Sequence, residues 1–201
     1  MCAGGRLFGY NWPTMMQDLL RNNLRELAEL LPRLAELQDD LAAVGQAMLD
    51  CWQRGGKVLT CGNGGSAADA MHLAEELVVR FCRDRRGLAA VSLCEGSVLT
   101  CCGNDYGYAQ VFARQVEALG NPGDILVVFT TSGNSENVLR AIGRAREQKM
   151  TTVAFLGKDG GKARGLCDIE LMVPSDLTHH VQEAHQILYH CLCQWIDEKV
   201  Q

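Results

Sequence analysis

His72 and Glu76 stand four residues apart in the run CGNGGSAADAMHLAEEL, from Cys61 to Leu77. On a helix that spacing brings an imidazole and a carboxylate to one face, about one turn apart. Burial and neighbours can tune both groups toward neutral pH, so the pair suits general acid–base catalysis. Taken alone, Glu76 in Ala-Glu-Glu-Leu fits a solvated helix surface more readily, because glutamate is rarely buried without a partner. A second polar set lies in VQEAHQILYH, which carries Gln182, His185 and His190. At 100° per residue, Gln182 and His185 are about 60° apart, and His190 falls about 80° to the other side of Gln182. Spacing does not choose between the two histidines.

Two turns rich in glycine and hydroxyls could hold an anion. Asn63-Gly64-Gly65-Ser66 follows the apolar run KVLTC and opens a helix. Its glycines tolerate positive φ, and helix N-terminal amides and the Ser66 hydroxyl favour a phosphate. Thr130-Thr131-Ser132-Gly133-Asn134-Ser135 likewise follows DILVVF and opens a helix at Glu136. One hydroxyl would serve as an N-cap, and four in six residues exceed that need. No lysine or arginine stands in this loop, so neutral donors and the helix dipole would carry the binding. Arg80, one turn beyond Glu76, is either a cationic supplement or a surface arginine. Neither G-x-G-x-x-G nor G-x-x-x-x-G-K-[ST] occurs, so the usual nucleotide fingerprints are missing.

The elements that must position these residues alternate. After Gly55-Gly56 come strand KVLTC, a helix from Ser66, strand LAAVSL, helical segments to Leu119 and strand DILVVF. A helix from Glu136, strands TTVAFL and DIELMV, and a last helix complete the series. Apolar strands without alternation, joined by long crossovers, predict an α/β fold: a parallel sheet buried between helices. Ligands in such sheets bind beyond the carboxyl ends of the strands, where both turns fall. Upstream, Leu20, Leu24, Leu27, Leu31, Leu34, Leu37, Leu41, Val44 and Met48 form a helical seam that Pro32 divides in two. The seam fits a helical hairpin or an oligomer contact. Residues 1–16 show no periodicity and read as a flexible leader.

The chain has 201 residues, 47% hydrophobic and 21% charged, enough for one full core. A formal charge of −5 argues against a general nucleic-acid binder. No apolar run has the roughly 20 residues that span a bilayer, and MCAGGRLFGYNWP lacks a signal pattern; the reading is cytoplasmic, with no membrane partner. The ten cysteines include no C-x-x-C and read as free thiols acting as small hydrophobes.

In combination the motifs resemble the sugar isomerase (SIS) family, and within it the branch that acts on sedoheptulose 7-phosphate. From about Met16 onward, CGNGGSAADAMHLAEE, GNDYGY, TTSGNSENV, GKDGG and VQEAHQILYH follow the family's order and spacing. The resemblance implies a single SIS domain over 17–201: a five-stranded parallel sheet in a flavodoxin-like three-layer arrangement, with an N-terminal helical extension. It implies isomerisation to D-glycero-D-manno-heptose 7-phosphate through an enediol, the first step of ADP- or GDP-heptose synthesis.

By motif match, Glu76 is the base and His190 its acid/base partner, leaving His185 a structural or supporting role. Substrate contacts fall to Asn63, Gly64, Gly65, Ser66, His72, Glu76, Asn104, Asp105, Thr130, Thr131, Ser132, Ser135 and Gln182. Thr130 stands where the family usually has serine. A zinc ion, one per subunit, is implied on His72, Glu76, Gln182 and His190, as is a homotetramer with sites at subunit interfaces. Some relatives with this fold are not catalytic and bind a replication initiator; they lack the Glu-His pair retained here. An isomerase for another sugar phosphate is the remaining alternative, against which GNDYGY and VQEAHQ favour the heptose branch.

Overall fold

The computed structural model describes residues 12–200, so residues 1–11 of the expected leader lie outside the described residues. Helix α1 (Trp12–Leu30) takes in residues 12–16. A 3-10 turn over Leu31–Leu37 follows, with Pro32 in its first turn, where a missing N–H costs least. Helix α2 (Gln38–Gln53) then carries Val44 and Met48 into the core. The leucine seam thus splits by environment. Its second half packs on helix α7 (Thr178–Lys199), where a Cβ on Gly45 would lie 2.8 Å from the Trp195 ring. Its first half faces outward, with Leu20 60% and Leu24 57% exposed.

The sheet contains β1 (Val58–Gly62), β2 (Ala90–Ser92), β3 (Ile125–Thr130), β4 (Thr151–Leu156) and β5 (Ile169–Met172). All are parallel, in the order β2-β1-β3-β4-β5. This is the flavodoxin-like order, and its switch point lies between β1 and β3. Alternate residues of β3 feed two cores. Ile125, Val127 and Phe129 meet α2, α7 and α3 (Gly65–Val78). Leu126 and Val128 meet α4 (Gly96–Tyr106), α5 (Ala113–Leu119) and α6 (Glu136–Glu147). Burial on both faces, expected of every apolar run, is complete along β1 and β3 and fails on the short edge strands. Val91 of β2 is 41% exposed, because an edge strand has one neighbour and incomplete cover.

A buried ion pair ties the two ends of this architecture together. Asp197 in α7 accepts hydrogen bonds from Arg85 Nε at 2.7 Å and from the backbone N–H groups of Cys82 and Arg83. Arg85 in turn donates to the carbonyls of Glu76 and Leu77, capping the end of α3 where a cation complements the helix dipole. These contacts hold the Asp197 carboxyl below its usual range against the opposing effect of burial. Every described cysteine is free. Among the described residues, no helix is long and apolar enough to cross a membrane.

Candidate active site

Beyond the carboxyl ends of β1 and β3, at the switch point, lies a cleft of about 260 Å³. One wall is the start of α3. Gly64 adopts φ +58° there, a left-handed conformation that suits glycine. Gly65 lies so close to Gln182 of α7 that a Cβ would come within 2.5 Å of its amide nitrogen. The opposite wall is the loop after β3, contributing Thr130, Thr131, Ser132 and Ser135; Thr178 completes the lining.

The loop is held from behind. Thr130 is buried, and its hydroxyl accepts from the Gly133 N–H at 3.1 Å, so this threonine staples the turn. Gly133 has φ +63°, and a Cβ on it would collide with the Gly160 carbonyl. A Cβ on Gly161 would likewise come within 2.3 Å of the Ser132 carbonyl oxygen. The GKDGG segment therefore seats the hydroxyl-rich loop backbone against backbone, which only glycine permits.

Asn63 is braced as well. Its amide pairs reciprocally with that of Asn137, both bonds 2.9 Å long, and its Oδ1 also accepts from the Tyr108 hydroxyl at 2.8 Å. With the side chain so engaged, Asn63 shapes the loop and leaves the backbone amides to face an anion. Asn104 and Asp105 lie on α4, exposed and bonded to each other at 2.8 Å, and are not among the residues that line the cleft. Tyr108, at the end of the same GNDYGY motif, is the member that reaches the cleft loop.

Further along α3, His72 Nε2 lies 3.1 Å from Glu76 Oε1. His190 of α7 joins them edge-on to His72, with ring centroids 5.1 Å apart. One ligand atom from each of the three falls within 4.8 Å of the others. Phe81 stacks on His190 at 5.3 Å and covers it. Burial and the neighbouring His72 lower the His190 pKa, so its ring is neutral near pH 7. Its Nε2 is buried without a hydrogen-bond partner.

Two imidazoles and a carboxylate are zinc-type donors, and a buried ring nitrogen without a partner on one of them fits a metal ion. Gln182, the fourth member of the expected quartet, is placed by its contact with Gly65 beside the phosphate loop.

His185 has a different role. It is fully buried, donates from Nε2 to the Leu156 carbonyl at 3.1 Å, and packs on Phe129 and Phe155. Burial lowers its pKa to about 4, so it serves as a neutral core residue. Arg80 is exposed. Four residues near the site escaped the sequence reading: Asn137, Tyr108, Asp69 and Tyr189. Asp69, three positions before His72, is buried, and burial raises its pKa to about 6 against the lowering effect of His72. All four lie inside recognised motifs, and that membership is the one signal they carry in the sequence.

A flavodoxin-ordered sheet, hydroxyl-rich loops at its switch point and a His-Glu-His cluster on the flanking helices define a sugar-phosphate-handling SIS domain. The chain belongs to the SIS domain family, whose model matches residues 23–157. Its similarity extends to proteins named phosphoheptose isomerase. One from Campylobacter jejuni is 46% identical, the alignment covering 91% of this chain and 99% of the relative. A solved phosphoheptose isomerase from Francisella tularensis superposes with a TM-score of 0.88 at 39% identity, covering 91% of this chain and 98% of that one. The corresponding structure from Neisseria gonorrhoeae gives 0.85 at 40% identity, covering 91% and 99%.

Proposed function

We propose that this protein isomerises sedoheptulose 7-phosphate to D-glycero-D-manno-heptose 7-phosphate, the opening step of nucleotide-activated heptose synthesis in the cytoplasm. The observation that carries the reading is the His72–Glu76–His190 cluster on the same two helices that frame the phosphate-type cleft. His72 lies six residues beyond Ser66 on α3, about 9 Å of helical rise, comparable with an extended seven-carbon sugar. A phosphate held at the start of α3 would leave the other end of the sugar at the cluster.

Thr131, Ser132, Ser135, the Ser66 hydroxyl and the backbone amides of Gly64 and Gly65 hold the phosphate by neutral hydrogen bonds and two helix dipoles. The Ser66 amide is taken by the Asn63 carbonyl. Glu76 takes a proton from C1, and its C–H electron pair becomes the carbon–carbon double bond of an enediol. Glu76 then returns a proton to C2, while His190, the acid/base partner, takes the hydroxyl hydrogen from O1 and delivers it to O2, so both side chains end as they began. Net, the ketose becomes an aldose with no atom gained or lost. Phe81 keeps water from His190. Zinc, held by His72, Glu76 and His190, would supply Lewis-acid polarisation of the substrate's carbonyl oxygen, whereas Gln182, eight residues before His190 on α7 and about 12 Å of helical rise away, stands at the phosphate end.

The exposed apolar stripe of α1 and the turn after it, Met16, Leu20, Leu24 and Leu31, supports assembly into a homotetramer with sites near subunit interfaces.

Purified protein incubated with sedoheptulose 7-phosphate and followed by proton NMR should yield aldoheptose anomeric signals. Glu76→Gln should abolish them, and a chelator-treated sample reads the metal's share. No product from protein loaded with zinc would sink the isomerase reading in favour of a binding protein.

A further inference from the structure

The reaction as written uses one nitrogen of His72, and the other has a partner of its own. The Tyr189 hydroxyl lies 2.9 Å from His72 Nδ1. Tyr189 is 1% exposed and is held edge-to-face between His190 at 4.8 Å and Phe129 at 6.0 Å, so its oxygen stays where the ring places it. Gln186, one turn earlier on α7, is close enough to the same hydroxyl to act on it.

We propose that Tyr189 is a positioning residue whose hydroxyl fixes the ring plane of His72 and selects the nitrogen that holds its proton. Without metal, Nε2 carries the hydrogen and donates to Glu76, so Nδ1 presents a lone pair and the phenol donates to it. A His72 ready to ligate through Nε2 needs its lone pair there and its hydrogen on Nδ1. That tautomer requires an acceptor at Nδ1. A phenol oxygen is both donor and acceptor, and Gln186 can receive the O–H when it turns away. An apolar side chain at 189 would leave Nδ1 without its partner in a part-buried place in either state. Partners of this kind, behind a ligating histidine, typically govern metal affinity by about 10–100-fold.

The affinity consequence rests on reading His72 as a zinc ligand; the proton placement does not. The test therefore has two arms on the full chain, the parent and Tyr189→Phe, a substitution that keeps the ring. Long-range proton–nitrogen spectra of the metal-free, ¹⁵N-labelled proteins report which His72 nitrogen is protonated, and competition with a chromophoric chelator reports zinc affinity. The parent should show His72 in one predominant tautomer, and Tyr189→Phe should shift both ring nitrogens and bind zinc about 10–100-fold more weakly.

Unaltered His72 nitrogens in the variant overturn the proposal, whereas zinc affinity within twofold of the parent with those nitrogens altered supports the proton placement and overturns the reading of His72 as a zinc ligand. If the parent itself binds no zinc, the metal reading fails and the spectra alone decide: altered His72 nitrogens in the variant support the role, unaltered ones overturn it. Should Tyr189→Phe unfold, the parent spectrum still decides, because a His72 ring averaging rapidly between tautomers overturns it and a single tautomer supports it.

Discussion

His190 illustrates how one side chain can depend on its surroundings for its chemistry. A surface histidine titrates near pH 6.5, whereas burial and the adjacent His72 keep this one neutral. With Phe81 stacked on it and an unpartnered Nε2, its ring is held ready to exchange a proton. His190→Gln should keep the fold, since the side chain is only partly buried, and lower kcat about 10²–10⁴-fold with a smaller change in KM. Steady-state kinetics on sedoheptulose 7-phosphate check this; an unchanged kcat would remove His190 from the proton path. At this scale legibility was uneven. Glu76 and His72 could be paired from helical spacing alone, because i and i+4 share a face. The engagement of Asn63 by Asn137 could not, since the partners are 74 positions apart and only the fold brings them together. Choosing His190 over His185 also lay beyond spacing; the sheet decides it by burying His185 against Leu156.

Elements act here chiefly by holding one another. Helix α1 is fastened to α7 by His180, whose Nδ1 lies 2.7 Å from Glu183 and whose Nε2 lies 3.1 Å from Glu26 of α1. With an acceptor at each nitrogen, the ring must carry both hydrogens. Burial opposes that charge, but the two carboxylates together outweigh it and raise the pKa. A raised histidine pKa gives stability that is fully present below the unfolded value of about 6.5 and is lost as pH rises through the folded one. The hold on α1 should therefore weaken above neutrality. Hydrogen exchange of α1 amides, corrected for intrinsic rate, should show protection falling from pH 6 to pH 8.5, and His180→Gln should flatten that slope. Equal slopes would show that the clasp carries no pH dependence. The strands and their order of appearance were legible because continuous apolar runs alternate with helical ones. The partial exposure of β2 was not, because edge position belongs to sheet order rather than to the strand's own residues.

The whole molecule presents an unfinished surface. Met16, Leu20, Leu24 and Leu31 form a stripe along α1 and the turn after it, and the same heptad-like seam continues inward where it is covered by α7. Periodicity predicted the seam, yet which half would be covered depended on where α7 returns. Replacing Leu20 and Leu24 together by glutamate should lower the assembly state by sedimentation equilibrium, with helical circular dichroism retained. An unchanged mass would mean that the stripe is not the contact.

The Arg85–Asp197 pair also sets a timetable. Helix α3 leaves the ribosome with His72 and Glu76 in place and with Arg85 soon after, but Asp197 lies 112 residues downstream. At about 5–20 residues per second, the catalytic helix waits on the order of ten seconds for the carboxylate that locks its end. His190 arrives on that same late helix. During translation the sheet can be laid down strand by strand while His190 is still absent, so a half-made chain has both hydroxyl-rich turns before it can assemble the His72–Glu76–His190 cluster.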